Sequence, residues 1–385
     1  MQTALGGGLQ NDGELVLVAG ADVSAQGRST LARWMLGLWE AGVDGAWAPD
    51  QLEALKEQAW SEGVTVLAGD RLARCPQVPA EVRMLCRGWA RDQAAAELGM
   101  RARLQAVLAH LDTVGIPVLV LKGAALAHWL YEVPWHRETS DVDLLFPSRA
   151  DAERAAQALA ALGYVTPYRA ARYRHEMLCR SGDGVLDLDL HWGLSGWPVF
   201  GRLPGFQALS GERVALPGLG RGAWGLGPAH ALLHACVHRA SNLSAGLGDR
   251  LKWLYDLHLL ANELGARGEW PRFVEIARRA QGCGVCVQGL AAANALWGTV
   301  VPASVAASLE EARGSEPLDT DRLSDWRYLQ RLNLQALEGW REKAGWLWSR
   351  MLPSAGHLRE LYGEGYGYAG LLWQRGRRAV SRLVK

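Results

Sequence analysis

Two carboxylates two residues apart, Asp141 and Asp143, lie in Thr139-Ser-Asp-Val-Asp-Leu-Leu-Phe146. A second run, Leu186-Asp-Leu-Asp-Leu-His191, repeats the pattern with Asp187, Asp189 and His191. Side chains alternate along a strand, so in each run the acids emerge on one face and the apolar residues on the other. Carboxylates set side by side repel, and a fold tolerates them mainly when a divalent cation neutralises them. Three acids converging from two strands, beside the glycine turn Leu121-Lys122-Gly123, describe a two-metal site for transfer chemistry at phosphorus.

The elements that must position these acids are legible around them. Leu98, Leu104, Val107, Leu108 and Leu111 keep one helical face apolar, and Gly115 is a natural stop. Ile116–Leu121 is a short apolar run that predicts a buried strand, and Gly123 opens a helix. Val142–Phe146 predicts the second strand. Ser148-Arg-Ala-Asp151 is a capping-box-like start to a helix ending at Gly163. Tyr164–Tyr168, Tyr173–Arg180 and Val185–Trp192 then read as strands, the last two joined by a turn at Ser181-Gly-Asp-Gly184.

This order divides the chain into five parts. Residues 1–28, rich in Gly and small polar residues, read as poorly ordered apart from a short strand at Glu14–Val18. Residues 29–114 form an N-terminal helical subdomain and 115–200 a compact α/β unit. Residues 201–227 form a Gly/Pro-rich linker whose hairpin joins Glu212–Leu216 to Gly222–Leu226, and 228–385 form a helical domain starting at Pro228. In that domain Leu251, Leu254, Tyr255, His258 and Leu259 make one apolar stripe, and Leu337, Trp340, Ala344, Leu347 and Met351 another. A last helix is expected to dock Leu371, Leu372 and Trp373 on the body, leaving Arg375, Arg377, Arg378, Arg382 and Lys385 in water.

Composition sets the outer limits. The chain has 385 residues with a net charge of +1, which gives no global electrostatic case for nucleic-acid binding. No apolar run reaches the ~18 residues of a membrane span, and the N-terminus lacks a secretory pattern. Six scattered cysteines suit free thiols in a reducing cytoplasm, and Cys283-Gly-Val-Cys286 reads as two packed thiols on a helix. The 18 tryptophans read as apolar plugs between helices.

Val120-Leu-Lys-Gly123, the Tyr131–Arg137 segment, Ser140-Asp-Val-Asp-Leu-Leu145 and Asp187-Leu-Asp-Leu-His-Trp192 together resemble the uncharacterised nucleotidyltransferase family of the polymerase-β-like superfamily. Leu232-Leu-His-Ala-Cys-Val-His238 and Arg250-Leu-Lys-Trp-Leu-Tyr-Asp256 extend the resemblance over roughly residues 40–300. It implies an α+β fold: a palm with a small mixed sheet, flanked by N- and C-terminal helical subdomains. It also implies an NTP co-substrate and two Mg²⁺ ions on Asp141, Asp143 and Asp189, the last taken as third carboxylate because it precedes Leu-His-Trp. Asp187 is the alternative to Asp189. Lys122, Gly123, Arg137 and Lys252 are assigned to the nucleotide, the glycine by letting a triphosphate approach the backbone. Ala124 departs from the broader superfamily, where a serine contacting phosphate follows the glycine.

The expected reaction moves an NMP from the NTP to an acceptor, which is a small molecule, a modified peptide or a protein side chain, and releases pyrophosphate. The alternatives are a degenerate palm that binds nucleotide or a partner without turnover, and transfer of the γ-phosphate. His230, His234 and His238 recur every four residues; they either hold zinc or line the cleft opposite the acids, with His238 a candidate to assist as base. Asp256 is either a second-domain base or the i+4 partner of Lys252.

Overall fold

The computed structural model describes residues 25–38, 49–167, 175–353, 355–363 and 365–383. Helices α1 (Ala25–Met35), α2 (Pro49–Glu62), α3 (Thr65–Ala73) and the long α4 (Ala80–Thr113) come first. Then follow β1 (Leu119–Val120), α5 (Lys122–Trp129), β2 (Val142–Leu145), α6 (Arg149–Leu159), β3 (Tyr164–Val165), β4 (Glu176–Ser181) and β5 (Leu188–His191). A short α7 (Phe206–Gly211) precedes β6 (Val214–Ala215) and β7 (Trp224–Gly225). The remainder is helical: α8 (Pro228–Ser244), α9 (Leu251–Arg267), α10 (Trp270–Ala280), α11 (Cys283–Trp297), α12 (Ala303–Arg313), α13 (Trp326–Ala336), α14 (Gly339–Met351), α15 (Ala355–Tyr362) and α16 (Tyr368–Leu383). None of the described helices is long and apolar enough to cross a membrane.

Local chemistry explains the boundaries that matter for the site. Gly115, at φ +67°, ends α4 where the sequence places the stop, a conformation open to glycine at little cost. Ser148 caps α6 by accepting the Asp151 N–H at 3.1 Å. The first strand is shorter than its apolar run, because Pro117 has no N–H to give to a ladder. The expected strand at Glu14–Val18, and the ends of two others at Tyr168 and Tyr173, lie outside the described residues, as does Lys385.

The strands form one mixed seven-stranded sheet in the order β3-β4-β5-β2-β1-β7-β6. Its centre is the parallel pair β2–β5, with Asp143 opposite Asp189 and Leu145 opposite His191. β4 runs antiparallel to β5, which sets Glu176 opposite His191. The 212–226 hairpin forms and adds to the same sheet through the parallel pairing of β7 with β1.

Alternation along β2 and β5 divides two cores. Val142, Leu144, Leu188 and Leu190 pack with Leu104, Val107, Leu108 and Leu111 of α4 and with α6. The opposite face, which carries the acids, turns toward α8 and α9, whose apolar sides join α10–α13 in a larger core that includes Leu119, Leu121 and Leu145. The N-terminal helices have a third core, closed by Leu251 and Tyr255 of α9.

Two expectations for the C-terminal helices are corrected. The stripe on α14 does not reach a core: Trp340 is 73% exposed and Met351 66%, and Trp346 is the residue that docks. Likewise Leu371 is buried, whereas Trp373 is 69% exposed. Periodicity identifies an apolar face, but a helix at the margin of the fold has no layer beyond it to cover that face. Trp60 and Trp348 are exposed too, so the tryptophans are only in part interhelical plugs. All six cysteines are free, and Cys283 and Cys286 are buried at the start of α11 as packed thiols.

Candidate active site

The site begins where β1 hands over to α5. Helix α5 starts at Lys122, one residue before the expected Gly123, and Lys122 adopts φ +49°. That left-handed conformation costs a residue with a Cβ roughly 1–2 kcal/mol. The Lys122 ammonium donates to Asp143 Oδ1 at 2.6 Å, while the Leu121 N–H donates to the Asp143 carbonyl at 2.9 Å. A strained backbone thus clasps one aspartate by side chain and main chain together.

Asp143 also accepts from His191 Nε2 at 2.8 Å. Burial alone would raise its pKa, but Lys122 and the His191 hydrogen bond outweigh burial and hold the carboxyl well below the usual range. The same contacts raise Lys122 and His191 against the desolvation each suffers. Asp189 has no comparable cation. Withdrawal from water, with the negative charges of Glu176 and Asp143, pushes its pKa up to about 8. Two acids facing each other across one ladder therefore have opposite titration behaviour.

Ligand atoms of Asp143, Asp189 and His191 all lie within 4.8 Å of one another. Asp141 stands one step before β2 on the same face and accepts from Ser140 Oγ at 2.9 Å. Its charge is felt by Lys122, Asp189, Arg137 and Lys252. Asp187 is drawn aside: it accepts the Ser181 N–H at 3.3 Å and meets Arg180 at 3.6 Å, so it belongs to the β4–β5 turn.

The wall opposite is built by α8 and α9. Arg137 is only 7% exposed, and its Nε and Nη2 donate to both oxygens of Asp256, at 2.9–3.1 Å. Its Nη1 donates to the Glu138 carbonyl at 2.7 Å, and the Tyr131 hydroxyl donates to Asp256 Oδ1 at 2.7 Å. Asp256 is thus the partner of Arg137 rather than of Lys252. The space over Gly123 belongs to this network: a Cβ there would come within 3.0 Å of Arg137 Cζ and 3.1 Å of Thr139 Oγ1. Gly123 lets a guanidinium pack onto the start of α5, a requirement the sequence did not disclose.

Lys252 lies at the rim, its stem against Gly63. Burial and the charges of Arg137 and Arg250 lower its pKa to about 8, while Glu138 and Asp141 oppose them. The histidine stripe divides. His230 turns to Glu212, 3.7 Å away, whereas His234 and His238 face the charges of Lys122 and Asp143. Burial lowers both, His234 to about 3, so this part of the wall is neutral.

The structure therefore brings Asp143, Asp189, Asp141 and Lys122 together, ties Arg137 and Gly123 into a brace beside them, and places Lys252 at the rim. Two further residues at the site, Glu176 and His175, go unmarked in the sequence, and His191, marked there by its place beside Asp187 and Asp189, has no role assigned. Glu176 Oε2 lies 3.4 Å from His191 Nδ1 and 3.3 Å from His175 Nε2. The signal that finds Glu176 is register, since it is the β4 residue opposite His191.

Among known proteins, no curated sequence and no solved structure matches this chain. A family model described as uncharacterised nucleotidyltransferase matches residues 49–298, which includes the sheet, the acids of β2 and β5, and the α8–α9 wall. The chain belongs to this nucleotidyltransferase family.

Proposed function

We propose that the protein is a cytoplasmic, Mg²⁺-dependent nucleotidyltransferase on a polymerase-β-like palm. It transfers the NMP of an NTP to an acceptor oxygen of a small molecule, peptide or protein side chain and releases pyrophosphate. The observation that carries this reading is the facing of Asp143 and Asp189 across the β2–β5 ladder, with Asp141 one step along the same face. The donor set suits a hard divalent cation: three carboxylates on one face, one of them raised to about 8 by burial and the negative charges of Glu176 and Asp143. Asp141, Asp143 and Asp189 would hold Mg²⁺, which when bound supplies charge against the triphosphate and acidifies the attacking hydroxyl.

The chain's own residues do the rest. Lys122 brings a cation to the phosphates from a backbone that cannot retreat, and Lys252 brings a second from the rim. Asp189, whose basicity burial and the neighbouring carboxylates raise, would in its deprotonated form receive the proton of the acceptor hydroxyl as its oxygen attacks the α-phosphorus and pyrophosphate leaves. The Arg137–Asp256 pair braces α5 against α9 and keeps the wall at a fixed distance from the floor. The neutral His234 and His238 offer this cleft hydrogen bonds without charge.

A binding-only palm is favoured by one observation: Lys122 already neutralises Asp143 at 2.6 Å, as a resident cation would. The two readings separate in one experiment. Each of the four NTPs, α-labelled and γ-labelled in parallel, is incubated with Mg²⁺ and cell extract, using wild type and Asp141→Ala/Asp143→Ala. Transfer of α-label by wild type only establishes nucleotidyl transfer. Transfer of γ-label only makes it a phosphotransferase, and metal-dependent NTP binding without pyrophosphate release leaves the binding-only palm.

A further inference from the structure

We propose that His175, Glu176 and His191 form a second metal site, suited to Zn²⁺, that adjoins the carboxylate floor and is joined to it through the His191 ring. The inference does not depend on the transfer reaction. Its basis is the meeting of two imidazoles and a carboxylate whose ligand atoms all lie within 4.8 Å of one another. Glu176 Oε2 is 3.3 Å from His175 Nε2 and 3.4 Å from His191 Nδ1. A tetrahedral zinc with bonds of about 2.0–2.1 Å sets neighbouring ligand atoms about 3.3–3.4 Å apart. Both edges that meet at Glu176 therefore already have the span that an ion requires.

The orientation of each ring supports the same centre. His191 is 2% exposed, and its Nδ1 makes no hydrogen bond although it is aimed at Glu176. Its other nitrogen is committed to Asp143. Carboxylate, imidazole and vacant ring nitrogen in a row is the arrangement by which an outer carboxylate fixes the tautomer of a metal-binding histidine. His175 is placed by the backbone: its carbonyl accepts the Trp192 N–H at 2.8 Å, next to the β4–β5 ladder. The chain at Gly196 closes over its ring, where a Cβ would come within 2.6 Å of Nδ1. That leaves Nε2 toward Glu176. The two rings lie 5.3 Å apart and tilted by 57°, rather than stacked face to face.

Two nitrogen donors and one oxygen select a borderline ion such as Zn²⁺ over Mg²⁺, which demands oxygen. Three protein ligands leave a fourth position for water or a substrate atom. The ion's effect on the floor is one of positioning. By taking His191 Nδ1 it holds the proton on Nε2, and with it the orientation of Asp143.

The test uses the full chain, stripped with chelator and then titrated with Zn²⁺, and separately with Co²⁺ as a spectroscopic stand-in, under excess Mg²⁺. His175→Ala, Glu176→Gln and Asp189→Asn are compared with wild type. The His175 and Glu176 side chains are 24% and 29% exposed, so these variants are expected to fold, which circular dichroism checks. The expected result is one Zn²⁺ per chain retained against Mg²⁺, with a tetrahedral Co²⁺ visible spectrum. His175→Ala and Glu176→Gln should weaken binding by at least about a hundredfold, the upper end of what outer-partner changes cost. Asp189→Asn should bind as wild type. The proposal is overturned if wild type retains no Zn²⁺, if His175→Ala and Glu176→Gln bind it unchanged, or if Asp189→Asn alone abolishes binding. The last result would place the ion on Asp143, Asp189 and His191 instead.

Discussion

The floor of the cleft and its wall solve the problem of buried charge in opposite ways. On the floor, β2 and β5 present more negative charge than their own cations balance: Asp143 has Lys122 and His191, while Asp189 is left to hold a proton. On the wall, charge is either matched or absent. Arg137 and Asp256 saturate each other, and His234 and His238 stay neutral. An unbalanced floor facing a balanced wall is the contrast on which the proposed metal site rests. It also leaves the wall free to meet a ligand by shape and uncharged hydrogen bonds.

The largest effect should come from breaking the match on the wall. Arg137→Ala leaves Asp256 buried without its cation, and Asp256→Ala does the reverse. Each is expected to cost about 3–5 kcal/mol in urea-denaturation stability. An apolar replacement of both together should cost much less, and equal losses in the single and double variants would show that the pair is not the brace described here.

The second prediction sets the floor against the wall by pH. Asp189 has a folded pKa of about 8 against about 3.9 unfolded, so between these values the folded chain holds the extra proton. Its contribution therefore lowers stability as pH rises from about 4 to about 8. Asp189→Asn should flatten that slope, and Mg²⁺ at pH 8 should restore stability to wild type. His234 has the opposite sign. Its folded pKa of about 3 lies below the unfolded value of about 6.5, so its contribution falls as pH drops below about 6.5. His234→Gln should remove that acid-side loss. Denaturation midpoints of wild type and both variants from pH 4 to 8 check the two slopes, and slopes of the same sign would refute the contrast.

The smallest effect is at the rim. On the proposed reading, Lys252→Met removes one charge-assisted contact to the triphosphate, which is worth about 1.5–3 kcal/mol in a direct hydrogen bond and less at a rim. KM for the NTP is expected to rise about tenfold with kcat little changed. A fall in kcat with unchanged KM would move Lys252 from binding into the chemical step.

Much of this site could be read before any coordinates. Alternation around Asp141, Asp143 and Asp189 gives one shared face, because a strand has no other way to place residues two apart. Gly115 and Ser148 mark helix ends through the local demands of a positive φ and an unpaired N–H. What the sequence concealed is long-range. Arg137 and Asp256 are 119 residues apart, so their pairing and the need for glycine at position 123 arise only when folding sets Arg137 between the start of α5 and Asp256 of α9. His175 and Glu176 become metal-ligand candidates only through the β4–β5 register that brings them to His191.

The sequence by itself determined the local geometry and the chemical types: which residues share a face, where helices begin and stop, and that two neighbouring strands carry acids on one face. Tertiary structure alone decided which acid is neutralised and which keeps its proton, since that depends on the reach of Lys122 and His191 across strands. It also decided that the α14 stripe stays in water while Trp346 docks, because burial depends on what lies beyond a face. Periodicity and spacing are properties of a chain, whereas dielectric, charge pairing and burial belong to the neighbours that folding supplies.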